Sequence, residues 1–234
     1  MKSLAGMVGV AGVLLVSSSA GAEPLGKPGQ LALSAERLFG FSTTTTTQKD
    51  KDSNVEVSDS VTGFGALSAY PAHPFNVPRL GIDYLPIEGL TVGGSISFMA
   101  YSLSRDIDGT EGDGGTMTIF GIFPRAGYAM MFNETLGIWP RGGISYFTQS
   151  TKTDVTDPLS GEKDTYKYSR SELALTLEAH LVITPVDHVG ITLGPTLDIG
   201  LTGGDKNEFP NAPNTESDLS SMIFGIQAGL AAWF

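Results

Sequence analysis

Residues 189–202 read V-G-I-T-L-G-P-T-L-D-I-G-L-T. Val189, Ile191, Leu193, Pro195, Leu197, Ile199 and Leu201 occupy every second position, and glycine, threonine and Asp198 fill the places between them. Successive side chains of a strand point to opposite faces, so this segment reads as a strand with one apolar and one small or polar face. The segment before it repeats the pattern. Leu173, Leu175, Leu177, Ala179, Leu181 and Ile183 share one face, and Arg170, Glu172, Thr176, Glu178 and His180 share the other. A helix, with its period of 3.6, would scatter those charges around its axis.

Outward from this pair, period-two alternation marks strands near Leu31–Phe41, Pro78–Pro86, Leu90–Leu103, Thr116–Phe132, Leu136–Phe147 and Ser221–Phe234. Tight turns at Ile87-Glu88-Gly89, Asn133-Glu134-Thr135 and Val186-Asp187-His188 alternate with long polar segments near 42–77, 104–115, 149–168 and 203–220. Short turns on one side and long loops on the other are the pattern of a transmembrane barrel. Hydrocarbon offers no partner for a free amide, so a spanning sheet must close on itself. The expected fold is therefore all-β, an eight-stranded antiparallel up-and-down transmembrane β-barrel. A secreted sandwich would also alternate, but it would turn polar outer faces to water. Pro124 and Pro195 fit least easily into the ladders.

Lys2, the apolar run Leu4–Val16 and Ala20-Gly21-Ala22 have the order of an export signal. The expected organisation is a signal peptide over 1–22 and one barrel domain over 23–234. Cysteine is absent, which excludes thiol catalysis, cysteine-ligated metals and disulfides. With 25 acidic against 14 basic residues the net charge is −11, unsuited to nucleic acid.

The end of the chain, Gly229-Leu230-Ala231-Ala232-Trp233-Phe234, resembles the outer-membrane assembly signal of bacterial barrels, carried by Leu230, Ala232 and Phe234. Pro78-Arg79-Leu80-Gly81-Ile82-Asp83-Tyr84, Pro124-Arg125-Ala126-Gly127-Tyr128 and Trp139-Pro140-Arg141-Gly142-Gly143 resemble segments of small OmpA-like and OmpX-like barrels. The resemblance implies a Gram-negative cell envelope, location in the outer membrane, and contact with lipid, lipopolysaccharide and the assembly machinery. It specifies architecture rather than activity. No segment resembling a peptidoglycan-binding domain follows the last strand, so the resemblance does not extend to a wall anchor.

Alternation turns Glu36, Arg79, Asp83, Arg125, Arg141, Arg170, Glu172, Glu178 and Asp198 inward, with His180 nearby. A lumen of eight strands is wide enough only for side chains, so these groups are expected to pair as a structural ion-pair plug. A gated ion path is the alternative use of the same residues. Strict alternation sends Arg37 into lipid, where a charge costs roughly 2–4 kcal/mol at midplane. A bulge or register shift is expected to turn it inward or upward. Asp106, Asp108, Glu111 and Asp113 crowd one loop as weak candidates for a hard cation, but they miss the EF-hand spacing and read more simply as a solvated acidic loop. The outer segments are acidic throughout, suiting solvated loops or divalent bridges to lipopolysaccharide. Val61–Val77 is apolar, with Phe64, Leu67, Tyr70 and Phe75, and reads as a flap over the barrel mouth or as an adhesive surface. Thr43–Thr47 reads as extended or flexible.

The only histidines are His73, His180 and His188, and none has a nucleophile at a telling spacing. No glycine-rich phosphate loop and no cofactor is indicated. The leading reading is a non-enzymatic barrel that presents acidic external loops to an unknown surface partner. A narrow porin-like channel for small solutes or ions follows, then a lipid-modifying enzyme.

Overall fold

The computed structural model describes residues 24–53, 55–66, 73–103, 106–107, 110–111, 114–156, 163–210 and 212–234. The expected signal peptide lies outside them. Twelve strands are present among the described residues: β1 (Leu31–Asp50), β2 (Glu56–Ala66), β3 (Arg79–Tyr84), β4 (Leu90–Leu103), β5 (Asp106–Ile107) and β6 (Thr110–Glu111), then β7 (Gly115–Tyr128), β8 (Met130–Met131), β9 (Leu136–Thr156), β10 (Lys163–Val186), β11 (Val189–Glu208) and β12 (Thr215–Trp233). A short 3-10 helix, Pro74–Asn76, precedes β3. No described helix is long and apolar enough to cross a membrane.

Ten strands form one antiparallel sheet, and β5 with β6 forms a separate ribbon. The pairings run β10-β11-β12-β1-β3-β4-β7-β9, and β9 also pairs with β10, so the circuit closes. Leu31 and Phe234 exchange backbone hydrogen bonds where β1 and β12 meet. Closure leaves the ladder without free edges along most of the circuit, which a sheet in hydrocarbon requires.

The count of ten corrects the expected eight. Two strands attach beside the circuit, β2 on β1 and the short β8 on β9. β2 continues the wall where β3 stops. Phe39–Lys49 pairs with β2, and Leu31–Glu36 pairs with β3. The connection between them carries the 3-10 helix.

The long segments expected as loops are also shorter than the sequence implied. β1 runs on to Asp50, β9 to Thr156 and β11 to Glu208, while β10 starts at Lys163 and β12 at Thr215. Beyond the apolar band both faces of a strand meet water, so pairing persists while the contrast in hydropathy vanishes. Thr43, Thr45 and Thr47 show this directly, each hydroxyl meeting a partner on β2 at Thr62, Ser60 and Ser58. At the β1–β2 turn the backbone and hydroxyl of Ser53 and the backbone of Asp52 donate to Asp50 and hold its carboxyl below the usual range.

Burial alternates along the strands with the apolar side outward. Ile191, Leu193, Met222, Phe224, Ile226, Leu230 and Phe234 are exposed, and Thr192, Thr196, Asp198, Ile223 and Gln227 between them are buried. Pro124 is accommodated by glycine: Gly94 is its partner on β4, and a Cβ on Gly143 of β9 would run into the Pro124 carbonyl. Gly143→Val is expected to destabilise the barrel by about 1–3 kcal/mol, read as a lower urea midpoint in lipid vesicles.

Candidate functional site in the lumen

The interior is layered. At the end where Leu31 meets Phe234, Leu25, Leu85, Trp139, Val182 and Trp233 form an apolar floor. Above it lies a layer of buried charge, and above that a second apolar cluster of Phe75, Phe123, Phe147, Ala174 and Ile223.

Four guanidinium groups and four carboxylates make the charged layer. Arg125 bonds Asp83 through Nε at 3.0 Å and Nη2 at 2.5 Å, and Glu36 through Nη1 at 2.7 Å. Arg141 joins Glu36 to Glu178, at 2.7 Å to each, and also meets His180 Nδ1 at 2.9 Å. Arg37 holds Asp198 in a fork at 2.7 and 3.1 Å and reaches Glu178 at 3.3 Å. Arg79 stacks 3.5 Å over the Phe123 ring, with Glu178 at 3.9 Å. Forked contacts of this kind are the strong ones, because both partners are charged and their geometry matches.

Glycines make the reach possible. Arg125 on β7 crosses β4 and β3 to touch Glu36 on β1, and inward-facing Gly93 and Gly81 lie on its path. A Cβ on Gly81 would stand 2.7 Å from Arg125 Nη2. Gly200 does the same for Glu172, whose Oε1 and Oε2 accept from the Ser221 backbone and hydroxyl at 2.8 and 2.9 Å.

Of the nine expected lumen residues Glu36, Arg79, Asp83, Arg141, Glu172, Glu178 and Asp198 are buried, the Arg125 and Arg170 side chains are 6% and 11% exposed, and Arg37 is buried with them. The register between β1 and β12 shifts between Ala35 and Phe39, and Arg37 takes φ 53°. This left-handed backbone is unusual for a residue with a side chain and costs of order 1–3 kcal/mol. In return a guanidinium that alternation would send to lipid is fully buried between Asp198 and Glu178. The nine inward residues taken from alternation alone carry four cations and five anions. Arg37 supplies the missing positive charge.

The 3-10 helix enters the lumen from the β2–β3 connection. His73, Phe75 and Val77 are buried, and the Phe75 carbonyl accepts from Arg37 at 2.7 Å and Arg79 at 3.0 Å. The end of the expected mouth flap, residues 73–77, is thus an internal plug. Phe64, by contrast, lies outward beside Phe41 with 71% exposure. Leu67 and Tyr70 fall outside the described residues. Alternation could not find the plug, because it is not a strand; its apolar residues were the available signal.

His73, Ser221 and Glu172 meet, which invites comparison with a nucleophile–base–acid arrangement. His73 Nε2 lies 3.1 Å from Ser221 Oγ, but Glu172 sits on that same side, 3.9 Å from Nε2. His73 Nδ1 faces the Phe75 amide instead. A triad needs its acid on the nitrogen away from the nucleophile. All three side chains are also enclosed. His180 faces Arg141, and His188, at φ 63°, bonds the Trp233 carbonyl from a two-residue turn. Among the acidic-loop candidates, Asp106 pairs with Glu111 across β5 and β6, and Asp108 and Asp113 lie outside the described residues. No cluster of metal-ligating side chains occurs among the described residues.

The closed circuit with its apolar outer band needs a hydrocarbon surround. The chain folds as a closed antiparallel β-barrel with an apolar outward band. No protein-family model and no curated protein matches it. Solved structures that resemble it include the outer membrane protein OprG from Pseudomonas aeruginosa, at 11% identity and TM-score 0.49 over 89% of this chain and 97% of that one. Ail of Yersinia pestis, solved with the heparin analogue sucrose octasulfate, gives 15% identity and TM-score 0.36 over 87% and 99%. The outer membrane protease OmpT from Escherichia coli gives 8% identity and TM-score 0.45 over 89% and 98%. At these values no activity of theirs transfers to this barrel.

Proposed function

We propose that this chain is a non-enzymatic, non-conducting outer-membrane scaffold. Its filled lumen would rigidify the wall, and its strand extensions would present an acidic surface outside the cell. The observation that carries the reading is the charge-balanced layer of Arg37, Arg79, Arg125 and Arg141 with Glu36, Asp83, Glu178 and Asp198, closed from above by Phe75. The space left beside it, between Arg79, Phe123, Arg141 and Glu178, amounts to about 10 Å³. A water needs at least that much, so this space holds about one water at most.

Leu230 and Ala232 of β12 and Phe234 just beyond it face outward, where assembly machinery would read them. Lipid and lipopolysaccharide are the expected surroundings, and a protein or glycan partner would meet the outer extensions. Planar-bilayer recording tests the lumen. Purified protein is expected to insert without single-channel steps. Regular steps at wild-type sequence would replace the scaffold with a narrow channel, and altered lipid A or phospholipid after overexpression would replace it with a lipid-modifying enzyme.

A further inference from the structure

His73 is the one titratable side chain of the plug segment 73–77. Its ring is buried, stacked 5.4 Å from Phe75 and set edge-on to Phe147 at 5.5 Å between centroids. Nδ1 accepts from the Phe75 amide at 3.3 Å and so caps the 3-10 helix. A backbone N–H can only donate, which leaves the ring proton on Nε2. From there it is donated to Ser221 Oγ at 3.1 Å. That hydroxyl also accepts from Arg170 Nη2 and donates to Glu172 Oε2, each at 2.9 Å, so its one proton and two lone pairs are all used.

A second proton on the ring has only Nδ1 to occupy, and there it would meet the Phe75 N–H donor to donor. The imidazolium would also be a buried cation in contact with the Arg170 guanidinium. The charged groups that face the ring are Arg170 and Glu172 from β10 and Arg37 from β1. β12 presents the Ser221 hydroxyl, and β9 presents the Phe147 ring. Glu172 is the single anion, 3.9 Å from Nε2, and its oxygens are already engaged by Ser221 and Arg170. Two cations against one shared anion, away from water, oppose protonation in place.

We propose that His73 is an acid-sensitive latch, whose protonation releases segment 73–77 and opens the lumen above the charged layer. The proton comes from water and stays on the imidazole, and no other bond changes. A released ring titrates near the ordinary histidine value of about 6.5, whereas the seated ring resists the charge. The seated plug is therefore favoured at neutral pH and loses ground as pH falls below about 6.5. The ratio of released to seated plug rises by up to about tenfold for each pH unit. Arg37 and Arg79 on the Phe75 carbonyl, and Asn76 Nδ2 on Ser42 Oγ at 3.1 Å, hold the plug in place at neutral pH. The latch acts whether or not the lumen conducts.

Hydrogen–deuterium exchange with mass spectrometry, on the full chain in detergent micelles at pH 7.5 and 5.0, tests this. With the intrinsic exchange rate divided out, the wild-type peptide spanning 73–77 is expected to exchange about thirtyfold faster at the lower pH. His73→Asn keeps an oxygen for the Phe75 amide and loses the titration, so its exchange is expected to be equal at both. Equal wild-type protection at the two pH values overturns the latch, as does acid-accelerated exchange in His73→Asn. Acceleration of the same size in β12 residues 226–233, which carry no ionisable side chain, would mark general loosening of the barrel and also overturn it. If His73→Asn does not assemble, histidine nuclear magnetic resonance on the wild type decides. A His73 ring that titrates near 6.5 while 73–77 stays protected overturns the proposal.

Discussion

Arg37→Met is expected to destabilise the folded barrel by about 3–5 kcal/mol, the effect of leaving buried charge without its partner. Asp198 would lose both contacts of its fork, and Glu178 one of its three guanidinium neighbours. Urea unfolding in lipid vesicles measures the loss. The variant also removes a donor to the Phe75 carbonyl, so the plug should loosen together with the wall. Arg37→Met/Asp198→Leu is expected to recover most of the stability, since a buried pair replaced by apolar groups of similar volume is often neutral. If the single variant unfolds at the wild-type midpoint, the charged layer is not what holds the lumen together.

Phe75→Ala comes next in size. The ring is completely buried, with edge contacts to Phe147 at 4.7 Å and Phe123 at 6.5 Å between centroids. Truncation leaves a cavity and is expected to cost about 3–5 kcal/mol. It should nonetheless leave planar bilayers silent, because the ion-pair layer beneath remains intact. The two readouts separate the parts: stability reports the aromatic cluster, and conductance reports the charged layer. Single-channel steps from Phe75→Ala would locate the seal in the 3-10 helix instead.

Period two was legible wherever a strand has lipid on one side and packed lumen on the other. Val189–Thr202 carries both its apolar band and the inward Asp198 in its sequence. The same reading failed beyond the band. Thr43–Thr47, Ser217–Ser220 and Lys163–Ser169 continue as strands, but water on both faces removes the contrast that would announce them. It failed again at residues 73–77, where a 3-10 turn has no such period. The nine inward charges were readable from alternation, and Arg37 was visible as the residue that broke it.

The sequence by itself determined the two-faced strands, because burial in hydrocarbon on one side and in a narrow interior on the other leaves a mark at every second residue. Only the tertiary structure decided which charges meet. Arg125 and Glu36 lie three strands apart around the circuit, and Arg37 and Asp198 are 161 residues apart in the chain. Their contacts depend on the bulge that the break in alternation at Arg37 announces, and on register and on glycines that clear the space between them, neither of which has a local signature.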